Sequence, residues 1–357
     1  MKIMTADAHR ASPSEPSVTA LSFPFPTVPG PGLTLEVARG VRWVRMPLPF
    51  KLDHINLWLL EDGERWTIID AGIASTETRE LWTRIFDEGL GGKPVGGLLI
   101  THFHPDHFGL AGWLAEKWGV EIQMSETEWQ VGGRLSEGPT PESQARAREY
   151  EIRCGFEGRI TASIHQKDNY HNRVSPLPAR HHRLREGDRR VIGGREWEVI
   201  VGRGHSPEHV CLWCEKDRLL IAGDQVLARI SPNISVWPEE PEANPLKLFL
   251  ESVEKLRRLP AETLVLPSHG VPFCGLQARL DELVRHHHER LAQLEAACRG
   301  SAQTVKGLMP ALFGFKLAPD QIPFAIGETV AHVNYLLAEG RLERADRAEV
   351  WHFRAKS

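Results

Sequence analysis

The chain lacks the features of a secreted, membrane-bound or serine-type protein. Five cysteines are spread through 357 residues. Their number is odd and their spacing scattered, which argues against a disulfide framework and for the cytoplasm. No stretch approaches the roughly eighteen apolar residues of a membrane span, so no membrane partner is expected. Lys2 and Arg10 are followed by no apolar run, so no signal peptide is expected. No G-x-S-x-G turn presents a serine nucleophile. The formal net charge is only -4, and there is no long basic track of the kind that nucleic acid requires.

What stands out instead is histidine. The run Thr101-His102-Phe103-His104-Pro105-Asp106-His107 places three imidazoles and a carboxylate within six residues. Such groups are costly to bury unless they are paired or bound to metal. In extended backbone His102 and His104 point the same way. Asp106 and His107 follow where the chain should turn into a helix, and can point at a neighbouring position. One loop could therefore feed two metal ions. It cannot close both sites alone, because zinc takes about four ligands with one position open for catalysis. Further candidates stand just past apolar, strand-like runs: Asp70 after Trp66 to Ile69, His205 after Trp197 to Val201, Asp224 after Ile221, and His269 after Leu266.

The ordered set Asp70, His102-x-His104-x-Asp106-His107, His205, Asp224 and His269 resembles the metallo-β-lactamase-fold hydrolases, over roughly residues 35 to 275. It is similar to the dinuclear branch of glyoxalase II, the acyl-homoserine lactonases and the fold's nucleases. The resemblance implies that His102, His104 and His205 hold one metal, that Asp106, His107 and His269 hold the second, and that Asp224 bridges both. It implies that Asp70 orders the motif loop without binding metal. A histidine at 104, where the flavodiiron branch has glutamate, makes oxygen reduction unexpected. The ligand types suit two divalent ions, with Zn2+ the first expectation and iron or manganese left open.

The chain divides unevenly. Residues 1–32 carry Pro24, Pro26, Pro29 and Pro31 and read as a disordered or surface-laid arm. Residues 33–278 are expected to form an α/β catalytic domain. There the hairpin from Ile55 to Ile69, ending at Asp70, is echoed by His209 to Ala222, ending at Asp224. This echo fits a four-layer αββα sandwich with the metals in the crevice between two sheets. Helices are expected over Thr76 to Glu88 and Asp106 to Trp118. The segment from about 125 to 175 is expected to cover the site as a substrate lid, with Phe156, Tyr170 and His171 as pocket candidates. The basic stretch Arg180 to Arg195 reads as a solvated turn face. Cys211-x-x-Cys214 reads as two small strand side chains.

Residues 279–357 change character. Helices are expected over Leu280 to Ala297, Thr304 to Phe313 and Ile326 to Glu339, then a short strand from Val350 to Phe353, a plan that resembles a winged-helix appendage. His286, His287 and His288 read as a solvated helix face. The third helix has no Arg or Lys between Phe324 and Gly340. It therefore reads as a brace or a homodimer interface, not as a DNA reader.

Two metals sharing a water would ionise it near neutral pH, with Asp106 orienting the nucleophile and Asp224 holding the pair. The expected reaction is direct hydrolysis of a small ester, acyl thioester or lactone by this metal-bridging hydroxide. Two alternatives stay open. One is a phosphodiesterase or ribonuclease using the same metals. The other is a regulatory nucleic-acid-binding protein acting through the C-terminal helices.

Overall fold

In the computed structural model, which describes residues 21–158, 160 and 170–356, the strand-forming runs assemble into two large sheets. The first contains, in spatial order, β1 (Thr34–Ala38), β2 (Val41–Pro47), β3 (His54–Asp62), β4 (Arg65–Ile69), β5 (Val95–Leu99), β6 (Ile122–Ser125) and β7 (His182–Leu184). Strands β1 to β4 pair antiparallel, and β4 to β7 parallel. The second contains β8 (Arg189–Ile192), β9 (Arg195–Gly202), β10 (His209–Cys214), β11 (Leu219–Gly223) and β12 (Leu264–Pro267), with β12 and β8 at its edges. Helices α1 (Thr76–Arg84), α2 (Pro105–Phe108), α3 (Ala111–Trp118), α4 (Glu126–Ser136), α5 (Pro141–Arg153) and α6 (Pro245–Leu256) link the strands. After them come α7 (Leu276–Gly300), α8 (Val305–Phe313), α9 (Ile322–Ala338) and a hairpin of β13 (Leu342–Arg347) and β14 (Val350–Ala355). Caps set several helix starts: the Ser75 hydroxyl accepts the Thr78 N–H at 3.0 Å ahead of α1.

Side-chain alternation decides the layers. Trp197 and Val199 on β9 point inward and meet Trp43, Trp58, Ile69 and Leu99 of the first sheet. Ile200, between them and Val201 in sequence, points outward. The outer face of the first sheet, with Leu57, Ile68 and Leu98, is covered by Trp82, Phe86 and Leu114 from the helical side. The outer face of the second, with Cys211, Leu220 and Val265, is covered by Phe249 and Leu280. The order is helix, sheet, sheet, helix.

Several elements differ from the sequence reading. The helix expected over 106–118 is two helices. At its break the Leu110 N–H donates to the Gly72 carbonyl at 2.9 Å, and the Gly109 carbonyl accepts the Ser175 N–H at 2.7 Å. A side chain at Gly109 would meet the Ala74 nitrogen at 2.5 Å, so the turn rests on close backbone approach. The helix expected over 76–88 closes as a π-helical turn, Ile85–Gly89. The single C-terminal strand is a hairpin. His287 is fully buried, not solvated, and lies 3.2 Å from His332 Nε2 and 3.2 Å from the Ser231 hydroxyl. Sandwiching α7 beneath α9 makes it so.

The proposed lid segment is partly a brace. Its α5 sends the Tyr150 hydroxyl to the Val236 carbonyl at 3.0 Å and sets the ring edge-on to Trp351. Residues 159 and 161–169 of that segment lie outside the described residues, as do residues 1–20 of the N-terminal arm. Beyond them, Ser22 pairs with Cys274 on the surface. Leu308, Val330, Leu336 and Phe353 share one continuous core with Phe249 and Leu276. The expected boundary at 278/279 falls within the first turn of α7. All five cysteines are free. No helix among the described residues is long and apolar enough to cross a membrane.

Candidate metal centre

Every candidate residue follows a strand: Asp70 follows β4, the 101–107 run follows β5, His205 follows β9, Asp224 follows β11, and His269 follows β12. Both sheets thus deliver side chains to one end of the crevice between them. Asp70 sits in the left-handed region, at φ 65°, which aspartate tolerates better than most residues.

The side chains gather into two groups. Ligand-capable atoms of His102, His104, His205 and Asp224 lie within 4.8 Å of one another, and so do those of Asp106, His107 and His269. His102 Nε2 is 2.8 Å from His104 Nδ1 and 3.2 Å from His205 Nε2. Asp224 faces both groups. Its Oδ2 is 3.4 Å from His205 Nε2, and its Oδ1 is 3.5 Å from His107 Nε2 and 3.4 Å from His269 Nε2. Asp106 Oδ2 is 3.4 Å from His269 Nε2 and 3.8 Å from His107 Nε2.

Outer contacts fix which ring nitrogen turns inward. His107 Nδ1 donates to Asp70 Oδ2 at 2.7 Å, and Asp70 also accepts the Thr101 N–H at 2.8 Å and the Thr101 hydroxyl at 2.9 Å. His205 Nδ1 donates to the Asn233 carbonyl, and His269 Nδ1 to the His54 carbonyl, each at 2.8 Å. The loop carrying Asn233 runs on to Val236, whose N–H donates to the Gly327 carbonyl of α9 at 3.0 Å.

The charge pattern suits cations. Burial, then the neighbouring imidazoles, holds His102 well below its ordinary range and brings His104 to about 3. Neutral rings brought 2.8 Å apart can turn lone pairs toward a cation without the repulsion that charged imidazoles would bring. In the other group burial pushes His107 and His269 down, but the carboxylates outweigh it. Asp70, Asp106 and Asp224 hold His107 well above its usual value, and Asp224 and Asp106 raise His269 to about 10. Burial pushes the two acids up, and His107 and His269 outweigh it in turn, taking Asp106 to about 2 and Asp224 well below the carboxylate range. His107 Nε2 and Asp224 Oδ1 are buried without a hydrogen-bond partner. Orphaned polar atoms at this depth are rare. Two facing orphans within an all-imidazole and carboxylate donor set fit divalent ions.

Three participants escaped the sequence reading. His209, fully buried on β10, accepts the Asp224 N–H on Nε2 at 3.0 Å. A histidine in an otherwise continuous buried strand is the signal that could have found it. His54 accepts the Gly270 N–H at 2.9 Å beside His269. Glu128, on α4, is fully buried between the ligand-bearing loops, where burial raises it to about 7 despite several donors. Nothing in the sequence separates it from Glu126. Of the pocket candidates, Tyr170 donates its hydroxyl to the Phe103 carbonyl, His171 lies beside Gly138, and Phe156 packs under Lys306. A cavity of about 680 Å3 lined by Arg65, Gly97, Gln123 and Arg190 lies toward the opposite ends of β4 and β5 and touches none of the candidate ligands. Chemistry, not cavity size, marks the site.

Comparison with known proteins agrees with this geometry. Residues 51–269 match the Metallo-beta-lactamase superfamily, and residues 291–356 match the Metallo-beta-lactamase-like, C-terminal domain. The chain is 26% identical over 319 residues to the probable metallo-hydrolase YqjP of Bacillus subtilis (strain 168), covering 83% of this chain and 92% of that protein. It is 22% identical over 265 residues to a linear primary-alkylsulfatase of Pseudomonas sp., covering 71% of this chain but only 48% of the relative. The crystal structure of a beta-lactamase domain protein from Burkholderia ambifaria superposes with a TM-score of 0.88 at 43% identity, over 94% of this chain and 98% of that one. The chain belongs to the metallo-beta-lactamase superfamily and is a metallo-hydrolase by its relatives and its His/Asp cluster.

Proposed function

We propose that the protein is a dinuclear metal-dependent hydrolase of small esters, acyl thioesters or lactones. The observation that carries the reading is Asp224, whose two oxygens face the two groups separately, with its Oδ1 and His107 Nε2 buried without a hydrogen-bond partner. His102, His104 and His205 would hold one ion, Asp106, His107 and His269 the other, and Asp224 would join them. Zn2+ is the expected metal, with iron or manganese as alternatives that the same ligands accept. Bound there, the ions would supply the charge that ionises water near neutral pH and polarises a substrate oxygen.

The chain's own residues do the rest. Asp106 keeps 16% of its side chain exposed, so its carboxylate can accept a hydrogen bond from an attacking water and aim it. Asp70, Asn233 and His54 hold the outer nitrogens, so three imidazoles cannot turn away. No covalent step is called for: the Ser206 hydroxyl is committed to Glu128 at 2.7 Å. Against the phosphodiesterase alternative, Arg189 and Arg195 are engaged by Glu196 and Asp217. Against the DNA-reading alternative, His332 and Asn334 of α9 are buried. A cytoplasmic setting is part of the proposal, supported by the free cysteines.

The test is a hydrolysis panel on metal-loaded protein beside Asp224→Ala. It holds acyl-CoA thioesters, S-lactoylglutathione, acyl-homoserine lactones, aryl esters, a primary alkyl sulfate, bis-p-nitrophenyl phosphate and single-stranded RNA. Turnover of carbonyl substrates, lost in the variant together with at least one ion, is the expected result. Turnover confined to the sulfate or the phosphodiesters would overturn the carbonyl assignment. Near-normal turnover with full metal in Asp224→Ala would overturn the site.

A further inference from the structure

We infer that Glu128 is a positioning residue that clamps together the two loops carrying the three-histidine half of the centre. The inference rests on the metal reading above. One carboxylate oxygen of Glu128 accepts the Phe103 N–H at 3.0 Å. The other accepts the Ser206 hydroxyl at 2.7 Å and the Glu208 N–H at 2.6 Å. Phe103 stands between His102 and His104, and Ser206 follows His205. The first loop leaves β5 of one sheet and the second leaves β9 of the other. A single side chain therefore ties ligand loops that belong to different sheets.

The clasp is reciprocal. The Ser125 hydroxyl donates to the Glu208 carbonyl at 2.8 Å, and the Thr127 N–H donates to the Glu208 carboxylate at 3.1 Å. From the far end of the same insertion, Tyr170 donates to the Phe103 carbonyl. Both backbone groups of Phe103 are thus taken by side chains of the insertion. Glu128 is fully buried, and a buried carboxylate is tolerated only where donors converge on it. Here the donors come from the two loops that must keep His102, His104 and His205 in register. Apolar packing would hold the loops down, but it would not fix their separation.

The test uses metal-free wild-type protein, Glu128→Gln and Ser206→Ala, each titrated with Co2+ and followed by visible absorption, with thermal melting in parallel. Glutamine keeps the volume but offers one acceptor oxygen, so one loop meets an amide N–H2 in place of an oxygen. The expected result is that Glu128→Gln binds one Co2+ as the wild type does and the other about tenfold more weakly or worse, with a changed visible band. Ser206→Ala, which removes one donor, weakens the same ion to a smaller extent. Wild-type affinity and spectrum for both ions in Glu128→Gln would overturn the inference. Equal weakening of both ions alongside a lowered melting temperature would also overturn it, because that is general destabilisation. If Glu128→Gln does not fold, Ser206→Ala decides, and unchanged binding there counts against the clamp. Failure of the wild type to bind two Co2+ ions would instead sink the metal reading, and is seen before any variant is compared.

Discussion

His269 shows how much of the site is settled by single residues. Burial alone would lower its pKa, yet Asp224 and Asp106 raise it to about 10 in the absence of an ion. An imidazole raised above its ordinary value, about 6.5, stabilises the fold fully below that value and loses the contribution as pH rises through the folded value. His107 is shifted in the same direction. Asp106 and Asp224 are lowered, so their contributions are constant above the ordinary carboxylate range. The melting temperature of metal-free protein should therefore fall between pH 7 and pH 10, and His269→Gln should flatten that fall. Calorimetry in two buffers should show protons released as Zn2+ binds, with affinity rising with pH. At this scale the sequence was most readable. The dense motif and the isolated residues after apolar runs named eight candidates, Asp70 among them; the family resemblance set Asp70 aside, and the structure brings the other seven together. Glu128 and His54 were not readable, because a carboxylate or imidazole that serves a backbone N–H carries no spacing of its own.

Strands and turns deliver these residues, and glycine sets the approach. Gly223 ends β11 at φ 52°, and a Cβ there would stand 2.4 Å from the His209 ring. Gly223→Ala should cost about 1–3 kcal/mol in denaturant unfolding and reduce metal content, because His209 would be pushed off the Asp224 N–H. An unchanged metal content would mean the ring can yield without moving Asp224. Element boundaries were only partly legible. Helical spacing of Leu110, Trp113 and Leu114 hid the break at Gly109. What breaks the helix is hydrogen bonding to Gly72 and Ser175, which are distant in sequence, so no local pattern reports it.

For the molecule as a whole, the shared core beneath α7, α8 and α9 is decisive. The C-terminal elements should unfold with the sandwich in one calorimetric transition. Leu336→Ala, at a fully buried position, should lower stability by about 2–5 kcal/mol and shift that whole transition. A separate low-temperature peak would show instead an independent appendage. The layers were legible from the repeated hairpin-then-carboxylate plan. The docking of the third C-terminal helix was not, since an amphipathic face does not name the surface it will cover. That helix meets the loop behind His205 at Gly327, where a Cβ would stand 2.8 Å from Ser235. The C-terminal helix and the loop that orients His205 are therefore fitted to each other at a glycine-only contact. A chimera given a relative's C-terminal region should keep its metal only if the incoming helix carries glycine here; a larger side chain would press on Ser235 and, through that loop, on the Asn233 carbonyl that steers His205.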